Sequence, residues 1–524
     1  MRRIASIFAL LPALAFAQTP LTTADDWQAA VQTAAPSTTI NFAAGEYQAT
    51  NSHIAVTNAG AVLVGAGPTS TYFKAAAGCR VFSISATNVV LSGMNISGGS
   101  TNSFAGGVLG HGQTLVTNCW VVSNTAWAGS GGGVYKANVA NSLIAWNAAH
   151  GQTEAGMGGG GIGMPAGSWV RTSIISNNLS AYVRGGGISA PLNATTVWAY
   201  DCIIVTNRAT NASFGLGGGS HWVNLSNCVV VGNYARQSGG GAERGYIMGG
   251  TIISNNLSAG NGGGANMALL RDVVVANNST TINGGGVSAS SGTNVTIRFN
   301  VSGGNGGGAA LGGRLVSSLL HNNACGSGSS GGGGAHSVQL VYSVIASNSA
   351  PGNSAQAGGG VNNSTLDSCV LIDNVGLATR PQDATASTLR NCTVINSATN
   401  VSVLSISFLP AAVIANTLIV SPVQTDLVDQ NGAVWTNVAA NYFTNSATGL
   451  FLPDDPPYRL PPDSPLIDQG NSDFAVTPYD LYGRDRTQGT VDVGAVEYQL
   501  GIDEYPAAAE GKLRWILNMM GGSR

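Results

Sequence analysis

Lysine is nearly missing: only Lys74, Lys136 and Lys512 occur in 524 residues. Charged side chains of both signs make up 9% of the chain, against a usual share of about a quarter. With a formal net charge of −3 there is no basic surplus, which excludes electrostatic capture of nucleic acid. Carboxylates are scarcer still in the middle of the chain. Between Thr101 and Asn363 the acids are Glu154, Asp201, Glu243 and Asp272, with no Asp-x-Asp pair and no cluster. Paired-carboxylate hydrolysis and calcium binding have little to be built from there. Beyond the first residues no apolar run reaches the length of a membrane-spanning helix. Disorder is excluded as well, because 44% of the residues are hydrophobic.

Glycine is abundant, at 74 residues, roughly twice its usual share. Gly-Gly-Gly recurs, ending at Gly133, Gly161, Gly187, Gly219, Gly241, Gly264, Gly286, Gly308, Gly334 and Gly360. A second signature follows each triplet: a small residue, an aliphatic run, then Asn, as in Cys202-Ile203-Ile204-Val205-Thr206-Asn207. The Asn column reads Asn124, Asn147, Asn178, Asn207, Asn233, Asn256, Asn278, Asn300, Asn323, Asn348 and Asn374, with steps of 22 to 31 residues. Three residues before every Asn stands Val, Ile or Leu.

This period selects a fold. Apolar residues alternate or run in short β-branched bursts, and glycine triplets break helices. A unit of this length fits about three short strands and their turns. Stacked units pair each strand in parallel with its equivalent, which satisfies the backbone. Inward aliphatics form a narrow core, and Asn stacks as a hydrogen-bonded ladder. The expected architecture is all-β: a right-handed parallel β-helix solenoid of about fifteen coils, with an N-terminal helical cap and a small C-terminal β-rich capping domain.

The expected boundaries follow. Met1-Arg2-Arg3, an apolar run from Ile4 to Leu14 and Ala15-Phe16-Ala17 read as a signal peptide, residues 1–17, cut between Ala17 and Gln18. Two arginines directly before the run disfavour a buried helix. An exported, secreted or surface-associated, monomeric protein without a membrane span in its mature chain is therefore expected. Residues 18–38 hold the cap helix, with Trp27, Ala30, Val31 and Ala34 on one face. The solenoid takes 39–425, a C-terminal domain 426–498 and a tail 499–524. Seven cysteines in an exported chain suggest disulfides. Yet Cys119, Cys202, Cys228, Cys369 and Cys392 share one repeat column with Ser142, Ser173, Thr251, Ser318 and Ser343. Buried thiols at a small-residue position are the expected state. Cys79 and Cys325 lie off the column.

The opening, from the cap helix through Ile40-Asn41-Phe42 and Gly45-Glu46-Tyr47, looks like the start of pectin-lyase-like β-helix proteins. The pairing of Gly-Gly-Gly-Val/Ile with Ile-x-x-Asn, over about residues 105 to 375, resembles the repeat of polymorphic outer-membrane proteins. That family has an aromatic where this chain has Val, Ile or Leu. The resemblance implies a surface or secreted β-helix. In the C-terminal part, Ser464-Pro465-Leu466-Ile467-Asp468-Gln469-Gly470-Asn471, Asp480-Leu481-Tyr482-Gly483-Arg484 and Val491-Asp492-Val493-Gly494-Ala495-Val496-Glu497-Tyr498 are similar to the choice-of-anchor Q domain of bacterial surface proteins. This implies surface attachment. Physically, the Asp and Arg of these blocks are read as capping the last coil through paired turns.

Chemistry is sparse. Two residues after each triplet lies a column read as outward: Tyr135, Ser189, His221, Glu243, Asn266, Ser288 and His336. His221 and Glu243 fall on consecutive coils, about 5 Å apart, with Lys136, Arg184 and Arg244 near in register. His221, Glu243 and Arg244 are the candidate general base and charge stabiliser of a polysaccharide lyase; chance occupation of an exposed column is the blander reading. Asp201 and Asp272 occupy a column held elsewhere by Asn118, Asn141, Asn227 and Asn294, and read as turn residues. Trp120, Trp127, Trp146, Trp169, Trp198 and Trp222 cluster in the first half. They read as packing of the longer coils or as sugar-stacking platforms. His111, His150 and His321 stand alone, so neither a metal nor a cofactor site is expected. The leading expectation is a non-enzymatic structural or adhesive protein whose partner is a polysaccharide or cell-surface ligand. A carbohydrate-active enzyme on the same fold is the alternative.

Overall fold

A computed structural model describes residues 19–111, 113–151, 158–326, 331–351, 358–376, 383–397, 404–405, 413–421, 438–445, 450–451, 460–486 and 489–498. The expected Ala17–Gln18 cleavage site, Glu154 and the tail from 499 lie outside these residues. The chain divides into two compact units, the first comprising 1–260 with 264–269 and the second 261–263 with 270–524.

In the first unit the coils open on four-residue strands and, from Phe82 to Asn266, are built from strands of two or three residues. One coil runs Val134–Tyr135, Asn138–Ala140, Leu143–Ala145 and Ala148–Ala149. Its neighbour repeats the pattern in parallel register, pairing Val134 with Ile162, Val139 with Val170, Ile144 with Ile175 and Ala148 with Leu179. This is a parallel β-helix. The strands are short because left-handed residues end them: Lys136 (φ 60°), Asn141 (φ 46°) and Trp146 (φ 54°) turn this coil. Asn and Asp tolerate that conformation best. They accordingly hold the middle corner at Asn118, Asn141, Asp201 and Asn227. Asp201 is thus a turn residue, and Asn227 Nδ2 donates to its Oδ1 at 2.6 Å. Inward side chains stack without exposure: Val121, Ile144, Ile175, Ile204, Val230 and Ile253 are all 0% accessible. Each such burial contributes about 1.5–3 kcal/mol.

The glycine triplet and the Asn column are one device. In Gly217-Gly218-Gly219 the first glycine is left-handed, with φ +65°. A Cβ on the second would lie 2.3 Å from the carbonyl oxygen of Gly240 in the next coil. A Cβ on the third would lie 2.5 Å from Gly241 O and 3.1 Å from the Asn233 amide nitrogen. The triplet is therefore the gap into which the Asn ladder fits. Asn147 shows how complete that ladder is. Its Nδ2 donates to Val121 O at 2.8 Å and to Asn178 Oδ1 at 3.0 Å. Its Oδ1 accepts from the backbone N–H and the Nδ2 of Asn124, both at 3.0 Å. Every polar atom of a buried amide is satisfied, as burial requires. The row continues through Asn207 and Asn233 to Asn256. The small-residue column hydrogen-bonds as well: Ser142 Oγ accepts from Cys119 N at 3.0 Å, and the Cys119 thiol donates to Thr117 O at 3.1 Å. All seven cysteines are unbridged, and those of the column are buried.

A seven-residue helix, α1 (Trp27–Thr33), covers the first coil. Asp26 caps it by accepting from Ala29 N at 3.2 Å. Its buried Trp27 stands edge-on to Tyr47 and Phe73, with ring centroids 5.5 Å and 5.8 Å away. Phe42 adds a further edge contact to Phe73 at 4.9 Å, so an aromatic plug closes this end.

The second unit repeats the construction. Ile297, Leu320, Ile345, Leu371, Val394 and Ile419 pair in successive parallel steps. Its Asn row runs from Asn278 through Asn300, Asn323 and Asn348 to Asn374. It ends on a carboxylate. Asp383 occupies the third-glycine position of its coil and accepts from Asn374 Nδ2 at 2.7 Å and Asn396 Nδ2 at 2.6 Å. Burial raises its pKa to about 7, against the lowering effect of the Asn374 and Asn396 side chains.

The C-terminal segment, described at 460–486 and 489–498, consists of turns, one 3-10 helix at Ser472–Phe474 and an isolated Tyr479–Asp485 bridge. It lies along the side of the coils. Leu481, Tyr482, Ala495 and Val496 cover Leu319, Val344 and Val370, which point away from the lumen. The Asp and Arg of its blocks hold it together internally. Arg484 Nε meets Asp480 at 2.8 Å, and the fully buried Arg486 donates to Glu497 at 3.0 Å. Gly494 N–H donates to Asn416 O at 2.8 Å, tying the segment to its coil. No helix among the described residues is long and apolar enough to cross a membrane.

Candidate functional site: a buried polar column beneath an aromatic and arginine face

Ser189, His221, Glu243 and Asn266 are the second residues of four successive two-residue strands, paired in register. The column was expected to face outward into solvent, which the structure corrects. His221 is 1% exposed and Glu243 2%. The reason is the left-handed glycine that opens each triplet. It folds the preceding turn over the column, so that a Cβ on Gly217 would lie 3.0 Å from the Cβ of His221.

Within this layer the polar groups are paired. Ser189 Oγ and His221 Nδ1 are 3.3 Å apart. Asn266 Nδ2 donates to both Glu243 oxygens, at 3.2 Å and 3.0 Å. Arg244 Nε stands 3.7 Å from Glu243 Oε1. Burial, seconded by the positive charges of Arg184 and Arg244, pushes the His221 pKa well below the usual imidazole range, so it is neutral. Burial raises Glu243 to about 7, against the opposing Asn266 hydrogen bonds and both arginines. The structure thus brings His221, Glu243 and Arg244 into one cluster, but sets the first two under the surface.

What reaches the surface is cationic and aromatic. The Arg244 guanidinium lies over the Trp222 ring at 4.9 Å, and that of Arg184 over Phe214 at 5.5 Å. Two donors in this cluster, Trp222 Nε1 and Arg184 Nη1, are buried and have no hydrogen-bond partner. On the neighbouring strands Trp169 pairs in register with Trp198, and Arg171 with Tyr200. The Arg171 guanidinium lies 4.7 Å from the Trp169 ring and 5.1 Å from Tyr200. Trp198 stacks on Tyr200 with centroids 5.5 Å apart and planes 11° off parallel. These rings are half-buried, while Tyr246 is 45% exposed. The tryptophans divide accordingly. Trp127 stacks on His150 at 4.6 Å, and Trp127 and Trp146 are more than half exposed, at 52% and 58%. Packing of long coils does not account for those two.

Asp272 holds a left-handed corner (φ 56°) and accepts from Asn294 Nδ2 at 2.7 Å, as a turn residue does. His321 bonds its neighbour Asn322 at 2.7 Å. Among the described residues no group of three His, Cys, Asp or Glu side chains is placed to hold a metal. Sequence reasoning missed Phe214, which sits in a loop outside every column, and Asp383. The latter had a signal: it stands where the repeat demands glycine.

No family model matches the chain, and no curated protein matches it. Among solved structures it is similar to the catalytic unit of a thermostable GH87 α-1,3-glucanase from Streptomyces thermodiastaticus, at 12% identity and a TM-score of 0.28, covering 72% of this chain and 66% of that one. A pectate lyase is similar at 13% identity and a TM-score of 0.25, covering 90% and 91%. A PL6 family alginate lyase follows at 8% identity and a TM-score of 0.26, covering 81% and 80%. The fold itself rests on the register of parallel pairs: the chain is a parallel β-helix.

Proposed function

We propose that this protein is a non-enzymatic, exported β-helix protein that binds polysaccharide on the aromatic and arginine face of its first unit. The observation that carries the reading is the Trp169–Arg171–Tyr200–Trp198 cluster. Its half-exposed rings are held flat by a guanidinium and by mutual stacking. Rigid aromatic surfaces with few conformations to lose suit the apolar faces of sugar rings. Arginines bound to those rings add hydrogen-bond donors at the rim. Catalysis is disfavoured by the burial of His221 and Glu243, because a general base must reach the proton it takes.

The test is a glycan array and affinity electrophoresis with the full chain. Binding that weakens at least tenfold in Trp169→Ala and Trp198→Ala supports the reading. Wild-type affinity in both variants sinks it. The alternative, a polysaccharide lyase, rests on Glu243, whose pKa of about 7 suits proton transfer near neutrality. Release of unsaturated ends that stops in His221→Ala would establish that alternative. Export is tested separately: the secreted protein is expected to begin at Gln18.

A further inference from the structure

Six of the ten lysines and arginines of the first unit fall on one stretch, and five of these six are set on rings. From Lys136 to Arg244 the sequence carries six basic and three acidic residues, within a chain of net charge −3. Of the six, Lys136, Arg171, Arg184, Arg208 and Arg244 each lie over an aromatic ring, at 4.7 to 5.5 Å from its centroid. Of the three acids, Glu243 is buried, Asp201 is exposed at a corner with Asn227, and Glu154 lies outside the described residues. Counted in sequence, the stretch carries three more basic than acidic residues.

Two buried donors in the same cluster lack an acceptor, Trp222 Nε1 and Arg184 Nη1. Leaving a buried donor unpaired is costly, so such groups mark a place where an acceptor from outside belongs. Trp222 is itself pinned beneath Arg244, and Arg244 reaches to 3.7 Å from Glu243. Arg184 feels the charges of both Arg244 and Glu243. Two guanidiniums and an indole N–H thus belong to one cluster, Arg244 over Trp222 and Arg184 over Phe214. Glu243 accepts from Asn266 and pairs with Arg244 Nε, but neither of the two donors hydrogen-bonds to it.

We infer that the glycan bound at this face is anionic, and that Trp222 Nε1 and Arg184 Nη1, beside the Arg244 guanidinium, receive an oxyanion of its acidic sugar. This rests on the glycan-binding reading above and adds the charge class and the contact residues. The oxyanion supplies what each donor lacks, and a charged acceptor makes the stronger bond.

The experiment measures binding of the full chain to polygalacturonate, alginate and chondroitin sulfate, with fully methyl-esterified polygalacturonate and dextran as uncharged counterparts. Acidic polymers are expected to bind at least tenfold more tightly, with affinity falling as sodium chloride rises. Trp222→Phe keeps the ring under Arg244 and removes only the N–H. It is expected to cost about tenfold toward an acidic polymer and nothing toward a neutral one. Arg184→Met reads the second donor independently, should Trp222→Phe fail a folding check. Equal affinity for polygalacturonate and its methyl ester, or unchanged acid binding in both folded variants, overturns this inference and leaves the glycan reading standing. Failure to bind any polymer, charged or neutral, overturns both.

Discussion

Asn207 offers the sharpest test of how the coils are held. Its Nδ2 donates to Asn233 Oδ1 at 3.0 Å and to Ile175 O at 2.9 Å, and its Oδ1 accepts from Asn178 N at 3.0 Å and Asn178 Nδ2 at 2.9 Å. Asn207→Ala removes all four bonds. Three of the partners keep another bond: Asn178 Nδ2 still donates to Ile144 O, Asn233 Oδ1 still accepts from the backbone N–H of residue 207, and the Ile175 carbonyl faces the Val205 N–H in the parallel ladder. The Asn178 N–H alone is orphaned while buried. The expected loss is the cost of one such group, about 1–3 kcal/mol. Asn207→Asp is nearly isosteric, yet it is expected to be worse at neutral pH. It sets a carboxylate oxygen where the amide nitrogen faced two acceptors, and buries a charge. The measurement is urea unfolding followed by circular dichroism, with amide hydrogen exchange of the coils around Ile175 and Val230 as a local readout, since stacked repeats need not unfold together. The expected order of stability at pH 7 is wild type, then alanine, then aspartate, with the last two converging near pH 4 as the carboxyl takes a proton. An aspartate variant as stable as the alanine variant at pH 7, or an alanine variant within about 1 kcal/mol of wild type, refutes the ladder argument.

Further outcomes follow from other parts of the fold. Gly219→Ala places a methyl 2.5 Å from Gly241 O, with only backbone to yield. It is expected to lower the thermal midpoint by more than any alanine substitution on an exposed strand position, read by calorimetry. Asp383 binds its proton more tightly when folded, at a pKa of about 7 against 3.8. A raised carboxyl pKa contributes stability that is complete below about pH 4 and lost as pH rises through 7. The swing is about 4 kcal/mol. The thermal midpoint should therefore fall between pH 4 and 7 in wild type and fall less in Asp383→Asn; parallel curves would count against it. Arg486→Met leaves Glu497 without its 3.0 Å partner in a buried site. A loss of about 3–5 kcal/mol is expected, with proteolytic release of the C-terminal segment as the readout.

The winding was legible because period and chemistry agree at coil after coil between Asn124 and Asn374. Glycine marks the gap, Asn fills it, and an aliphatic residue three positions earlier points into the lumen. Such columns are local facts repeated many times, and repetition survives the loss of any one. The face of His221 and Glu243 was not legible in the same way. Alternation along a two-residue strand says that the second side chain points away from the lumen. It does not say that the preceding glycine turn lies over it. That cover depends on backbone direction at Gly217 and Gly239, which any sequence reading treats as merely permissive. Phe214 was invisible for a related reason, since loops that differ from coil to coil have no column to compare. The lateral placement of the C-terminal segment left no such trace. Leu319, Val344 and Val370 continue a column that holds Leu143, Ile174, Ile203, Val229 and Ile252 in the first unit, where Val229 and Ile252 stay exposed.

The C-terminal cover reaches its coils late. The residues that hide Leu319, Val344 and Val370 belong to Leu481–Val496, more than a hundred positions downstream. During synthesis those coils are able to wind before their outer greasy strip has anything to hide it. A chain cut short before Leu481 keeps the same hydrogen-bonded stack but presents the strip to other molecules. Truncated forms should consequently fail by clumping rather than by unravelling, and the hazard should scale with how slowly the last stretch leaves the ribosome.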